Sequence, residues 1–443
     1  MFLLFVPKVR LWQVVGDNLG LHSVLGFLEC FSANYSCRFC RVHRNELKLQ
    51  TEEDVELIRT VENYTEDLAI QDSSRTGIKC ESVLNDLPYF HVTFNFCPDV
   101  MHDLTEGTCH RIIKKVVGHG INSEFFSIDM INYRIRSSNL GKLEKKNVPS
   151  PITQRYLDGE SHAGQSASQM MCLIYHLPLW VGNNYPEDDQ HWTLFLRLRR
   201  IMQIIFSPYI SKAGLAFLRF LIQDFLSLLL TLTPTGLKPK EHYMLHYPTL
   251  ISKVGPLKTY WAMRFEAKHR FGKAVAINSS NHKNTPKSVF HRNQLQLASS
   301  LSFQNFSKPH EFIILKGKEA PLPQNYEERF PNVENCIRCD QISFNGVHVD
   351  LNTFIIRSWL DEGPEIFKLH EILSIEETPY ISIRRVKCEY EDHLSIFRIL
   401  EIAEHGSCVP LTSIDVTSSM NRQTLSVADH YVHDSLVLPF EII

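Results

Sequence analysis

The sequence predicts an α+β protein: a mixed N-terminal part, a long helical middle and a small all-β module at the C-terminal end. Three observations predict it. From Pro98 to about Thr233, apolar residues recur at helical spacing almost without a break. After Cys339, short β-branched runs alternate with turn residues. Charge divides along the same line. Lys238 to Arg292 holds eleven Lys/Arg and two Asp/Glu, whereas Asp340 to Ile443 holds seven and seventeen.

The elements follow in chain order. Leu11 to Gly16 is a short β-type run that ends at Asp17. Glu52 to Gln71 reads as a polar helix. Tyr89 to Phe96 reads as a strand, with Phe90, Val92, Phe94 and Phe96 alternating onto one face. Pro98 opens a helix, a favoured first-turn position, and Met101, Leu104, Ile112, Ile113 and Val116 form its apolar stripe. His191 to Phe206 and Lys212 to Leu232 are further helices. The second is rich in Leu and Phe, but Arg219, Gln223, Asp224 and Pro234 favour a buried helix over a membrane span. Lys240 to Lys253 is helical with an interruption at Pro248, and Thr259 to Asn278 is a strongly amphipathic helix. Pro309, Pro321, Pro323 and Pro331 punctuate a polar linker. Val347 to Ile356, Tyr380 to Val386, Ser395 to Ile402 and Ser435 to Phe440 are the strands of the last module. The expected segments are therefore 1–96, 97–235, 236–304, a linker at 305–338, and the β module at 339–443.

Composition narrows the class. The chain has 443 residues, 44% hydrophobic and 21% charged, as a globular protein of two or three domains does. A net charge of -3 removes any whole-molecule argument for nucleic acid, so only the local basic stretch carries one. Eleven cysteines without regular spacing point to reduced thiols in a nuclear or cytoplasmic setting. Met1 to Val6 is apolar but too short for a signal peptide.

The chemistry-bearing motifs come in pairs. Cys37 and Cys40 form a C-x2-C knuckle twenty residues after Asp17, and His242 and His246 form an H-x3-H pair starting twenty-four residues before Glu266. A cysteine pair and a histidine pair together supply the ligands of one closed, structural zinc. Each pair alone is more often packing or accident; the matching offsets from two carboxylates favour a shared ion. Such a clamp would bring Asp17 and Glu266 toward one acidic site. The plainer reading makes Asp17 a cap and Glu266 a surface partner of Arg264, Lys268 or Arg270. Cys336 and Cys339 form a second C-x2-C without a histidine pair.

Several strings in order resemble the animal CACTA (En/Spm-like) DDE transposases. They are Gly16-Asp17-Asn18-Leu19-Gly20-Leu21-His22-Ser23 through the Cys37–Cys40 knuckle, Asp99-Val100-Met101-His102-Asp103-Leu104-Thr105-Glu106-Gly107, and Ser166-Ala167-Ser168-Gln169 before Pro178-Leu179. His242-Tyr243-Met244-Leu245-His246-Tyr247-Pro248 and Met263-Arg264-Phe265-Glu266-Ala267-Lys268-His269 complete the set, which spans roughly residues 11 to 305. The resemblance implies an incomplete ribonuclease-H-like core interrupted by a large helical insertion. Asp17 and Glu266 would be the second and third acids of a DDE triad that holds Mg2+ or Mn2+. Cys37, Cys40, His242 and His246 would hold structural Zn2+. Asp99, His102, Asp103 and Glu106 would either approach that acidic site or anchor the insertion.

One departure bears on activity. The family's first Asp precedes the Gly-Asp-Asn string, and residues 1–16 contain no Asp or Glu. The expectation is a truncated or domesticated relative, inactive in strand cleavage and transfer. The alternative is a zinc protein that only binds DNA or protein. DNA is the expected partner, through Arg264, Lys268, Arg270, Lys273 and Lys283, with self-association left open and neither a membrane nor a small-molecule cofactor involved. A nuclear location follows from that partner, cytoplasmic without import.

Overall fold

The computed structural model describes residues 10–160, 164–279, 283–302, 312–344, 347–360, 363–413, 422–427 and 430–438. The architecture is α+β, helical first and β-rich last. The helices are α1 Asn18–Leu25, α2 Arg44–Leu47, α3 Val61–Ile70, α4 Ser73–Thr76, α5 Cys109–Asn122, α6 Ile128–Ser137, α7 Gly141–Glu144, α8 Gln154–Leu157, α9 Ala167–Val181, α10 Gln190–Ile205, α11 Lys212–Leu232, α12 Pro239–Tyr243, α13 Tyr247–Val254, α14 Met263–Asn278 and α15 Thr285–Ser302. A π-helix, Met101–Thr108, runs directly into α5.

Local chemistry sets the helix ends. Asp189 accepts from Trp192 N at 2.8 Å to start α10, and Ser211 accepts from Gly214 N at 2.9 Å to start α11. Gly26 ends α1 at φ 79°, where a Cβ would lie 2.1 Å from the Cys80 carbonyl oxygen, so only glycine fits. One apolar core joins the N-terminal segment to the helices, from Leu21, Phe27 and Phe39 through Ile112, Phe195 and Phe225 to Tyr243. Burying each such side chain contributes about 1.5–3 kcal/mol. Helix α11 has the length and apolarity of a membrane span, with a mean hydropathy of 1.8. It nevertheless buries Leu218, Leu221, Ile222, Phe225, Leu226 and Leu229 in this core and pairs Asp224 with Arg197 at 2.7 Å.

The strands are β1 Phe312–Pro321, β2 Asn335–Phe344, β3 Val347–Asp350, β4 Phe354–Leu360, β5 Gly363–Ile375, β6 Thr378–Glu391, β7 Ile396–Ile402, β8 Ser407–Pro410, β9 Arg422–Val427 and β10 His430–Leu436. They pair antiparallel in the order β1-β2-β5-β6-β7-β10-β9, with β3 on β2, β4 on β5 and β8 on β6. The module is fastened to the helices by the turn after β6. Leu394 and Ile396 enter the helical core, and a Cβ on Gly182 would lie 2.3 Å from Leu394 Cδ2. Around that plug, Trp192 Nε1 donates to His393 O at 2.8 Å and Arg199 donates to Ser395 O at 2.7 Å.

Several expectations need correction. Tyr89 to Phe96 is not a strand. Asn95 Oδ1 accepts from His91 N at 2.7 Å and Phe94 N donates to His91 O at 3.2 Å, which closes turns and leaves Phe94 44% exposed. Among the described residues, 10–96 hold no strand, only isolated bridges: Val14 with Phe96, Phe27 with Ile78 and Cys40 with Ile58. The helix expected over Glu52 to Gln71 begins only at Val61, where Thr60 and Asn63 form a capping box. The described part of the expected 305–338 linker contains β1, paired with β2 from Phe312↔Phe344 to Pro321↔Asn335. Its prolines fall at the strand end and in the turn, where no ladder N–H is required. Pro309 lies outside the described residues. Helix α14 is not amphipathic: Val275 is its one buried residue.

Candidate metal centre and acidic cluster

Cys37, Cys40, His242 and His246 meet at one point. Their ligand atoms lie within 4.8 Å of one another, and all four residues are buried. The knuckle is held by the segment that follows it: Arg59 N donates to Phe39 O at 3.0 Å and Arg41 N to Leu57 O at 2.8 Å. Buried Arg59 also donates to Cys37 O at 3.3 Å and pairs with Asp67 at 3.2 Å. The histidines sit on α12 and on the 3-10 turn Met244–His246 between α12 and α13. The expected interruption at Pro248 is therefore displaced into this turn, and Pro248 lies in the first turn of α13, where its missing N–H has no helical partner to lose.

The distances fit a tetrahedral ion. Bonds of about 2.3 Å to sulfur and about 2.0 Å to nitrogen place S and N roughly 3.5 Å apart and two N roughly 3.3 Å apart. Cys37 Sγ lies 3.7 Å from His246 Nε2 and Cys40 Sγ 3.3 Å from His242 Nε2, while the two Nε2 atoms are 3.3 Å apart. His246 Nδ1 lies 2.8 Å from Glu53 Oε1. Glu53 is held below the usual carboxylate range: its hydrogen bonds from His246 and Thr249 outweigh burial. An ionised carboxylate can only accept, so Nδ1 carries a proton and Nε2 is the nitrogen turned to the cluster. Against burial, Cys37 and Glu53 raise His246 to about 9, so a metal ion at Nε2 would displace a proton there. Burial alone would push the Cys37 thiol up, but hydrogen bonding with Cys40 and the neighbouring His242 and His246 hold it well below its ordinary value. Burial and the neighbouring Cys37 push the Cys40 thiol well up, so metal binding would displace its proton. The cluster can hold a metal ion such as zinc.

A buried polar chain runs beside this centre. Arg38 donates to Asn18 Oδ1 at 2.7 Å, Asn18 Nδ2 to Asp103 Oδ1 at 2.7 Å, and Tyr247 OH to Asp103 Oδ2 at 3.0 Å. It ties α1, the knuckle, the π-helix and α13 together. Burial pushes Asp103 up to about 6. Asp103 thus takes the anchoring option.

Asp99, just before the π-helix, and His102 and Glu106 on it turn toward α14. Asp99 is buried, bonds His102 Nδ1, and accepts from Met101 N at 3.2 Å and from Ala262 N at 3.0 Å. Ala262 is the N-cap residue of α14, so Asp99 fixes the start of the helix that carries Glu266. His102 Nε2 then lies 3.6 Å from both Glu106 and Glu266. The hydrogen bond His102 donates to Asp99, then the charges of Asp99, Glu106 and Glu266, raise His102 above its ordinary range against the effect of burial. Asp17 is exposed and caps α1, accepting from Gly20 N at 2.5 Å. Among the described residues, neither Asp17 nor Glu266 belongs to a group of three ligand atoms tight enough to hold an ion. Arg264, Lys268, Arg270, Lys273 and Lys283 are all exposed.

Two other clusters carry no ion readily. His119, Asp189 and His191 approach one another, but the two imidazoles stack at 3.9 Å and 15°. Near-parallel rings direct their in-plane lone pairs alongside each other and not to a common point. Cys336 and Cys339 lie three apart on β2, hence on opposite faces, and pack into separate apolar cores.

Sequence reasoning missed Glu53, Arg59 and Arg38. The one available signal was their charge beside the knuckle, and nothing in the local pattern marks which charges turn inward. Comparison with protein-family models and with curated proteins finds no match to the chain.

Proposed function

We propose that the chain is a DDE-transposase-related, DNA-contacting protein, built around a structural zinc and inactive in strand cleavage and transfer. The carrying observation is the Cys37/Cys40/His242/His246 quartet, which joins residues about two hundred apart; the Gly-Asp-Asn, Asp-x-Met-His-Asp-Leu and Arg-Phe-Glu strings accompany its members along the sequence in the order that prompted the resemblance. Zinc suits two thiolates and two imidazoles in a closed tetrahedron. A ribonuclease-H-like ancestry draws support from the parallel bridge of Val14 with Phe96, which sets the segment before Asp17 beside the segment before Asp99.

Two-metal phosphoryl transfer needs carboxylates converging on two divalent ions about 3.5–4 Å apart. Asp17 spends an oxygen on capping α1 and Glu266 faces His102, so a converged triad is not at hand. In this reading the exposed cations of α14 contact phosphates, and the zinc holds that helix's approach to the rest of the chain. DNA affinity should fall steeply with salt as counterions are released. The test is DNA binding measured from low to physiological salt, together with a cleavage and strand-transfer assay in Mg2+ and Mn2+. Salt-sensitive binding without nicking is expected. Nicking that Asp17→Ala or Glu266→Ala abolishes would overturn the inactive reading, and absence of DNA binding would overturn the reading as a whole.

A further inference from the structure

The hairpin of α14 and α15 is largely exposed along its described residues. Within α14, Val275 is the one buried residue, and every residue from Phe290 to Ser299 of α15 is exposed. Large apolar side chains lie open along it: Phe265 at 53% exposure, Ile277 at 74%, Phe290 at 65%, Leu295 at 57% and Leu297 at 48%. Soluble proteins normally turn such residues inward, and a helix of this length gains most of its stability from packing. The charge is equally one-sided. Residues 267–310 contain seven Lys/Arg and no Asp or Glu.

These two features select the occupant. A second copy of the hairpin would bring like charges together. A membrane surface needs one continuous apolar face opposite a polar one. Here successive residues advance about 100°, which puts Phe265 and Ile277 about 120° apart on α14, and Lys268, Arg270 and Lys273 spread around the same helix. Cations interleaved with open aromatic rings fit a polyanion that also offers flat apolar faces. Unpaired nucleic acid offers both: phosphates for the cations and base faces for the rings. A duplex hides its base faces in the stack.

We infer that the α14–α15 hairpin is a binding arm for single-stranded nucleic acid, with Phe290 and Phe265 stacking on bases and Lys287, Arg292, Lys273 and Lys268 holding the backbone. This rests on the DNA-contacting reading for the identity of the polyanion, and adds to it the strand state and the surface.

The experiment is fluorescence anisotropy of the full chain with one mixed-sequence oligonucleotide, as a single strand and as a duplex, over a salt series, with anionic vesicles as a third probe. The single strand should bind more tightly than the duplex. Phe290→Ala should weaken single-strand binding roughly tenfold and leave the duplex nearly unchanged. That side chain is 65% exposed, so its loss leaves the core intact. Lys287→Ala should weaken both and reduce the single-strand salt slope by about 0.7. Duplex binding equal to single-strand binding, with both indifferent to Phe290→Ala, would overturn the arm and leave the DNA-contacting reading standing. No binding to either form would overturn that reading itself. Preferential binding to vesicles, or self-association abolished by Phe290→Ala, would assign the hairpin to a different occupant and overturn the inference.

Discussion

His246 Nδ1 lies 2.8 Å from Glu53 Oε1, and that contact decides which nitrogen of His246 faces the cysteines. Glu53 also accepts from Thr249, so the carboxylate is fixed at both oxygens. A carboxylate behind a ligating histidine tunes affinity without touching the ion. Glu53→Gln should keep one metal per chain but weaken its affinity about 10- to 100-fold, measured by competition with a chelator. Unchanged affinity would remove Glu53 from the metal centre.

The Asp99–His102 contact makes a second prediction. Hydrogen bonding to Asp99 is the largest cause of the raised His102 value. In Asp99→Asn, the His102 titration followed by NMR should move down toward the ordinary histidine range. Because Asp99 also accepts from Ala262 N, the same variant should speed amide exchange in the first turn of α14. A His102 titration unmoved by the substitution would break the proposed link.

Acid should loosen the fold through buried neutral histidines. Burial lowers His22 and His176 to about 4 from 6.5. In the unfolded chain these rings charge below about 6.5, whereas in the folded chain they resist until about 4. The stability they contribute is full above the unfolded value and is lost as pH falls through that window. The urea midpoint should therefore drop between pH 7 and pH 5. In His176→Gln the drop should be smaller; an equal drop would contradict this assignment.

The plug between the β module and the helices sets a fourth test. Leu394 is fully buried within the helical core. Leu394→Ala should destabilise the protein by about 2–5 kcal/mol, read from denaturant unfolding. The loss should appear in one transition that helical and β signals share. A separate early transition of the β signal alone would mean that the module is only loosely attached.

What the sequence disclosed follows the range of each signal. The metal quartet was legible because C-x2-C and H-x3-H are short motifs whose local geometry converges ligands. Helices α10 and α11 were legible because Trp192 to Ile205 and Leu218 to Leu229 keep helical period over several turns. Strand β1 was hidden by Pro321 and Pro323, which suggested a linker although they sit just where the ladder ends. The run to Phe96 alternated like a strand, but Asn95 closes back on His91, a local competition that periodicity does not register. Glu53 and Arg38 act across the fold, and their roles appear only once the chain is folded.

The central claim is that Cys37, Cys40, His242 and His246 hold one ion that clamps the N-terminal segment to the region preceding α14. Elemental analysis of the purified chain tests it most directly, alongside Cys37→Ser and His246→Ala. The account predicts about one zinc per chain, lost in both variants together with a large fall in thermal stability, because a structural site contributes its binding energy to folding. A chain that stays folded and binds no zinc after exposure to excess metal, or zinc retained in full by both variants, would contradict it.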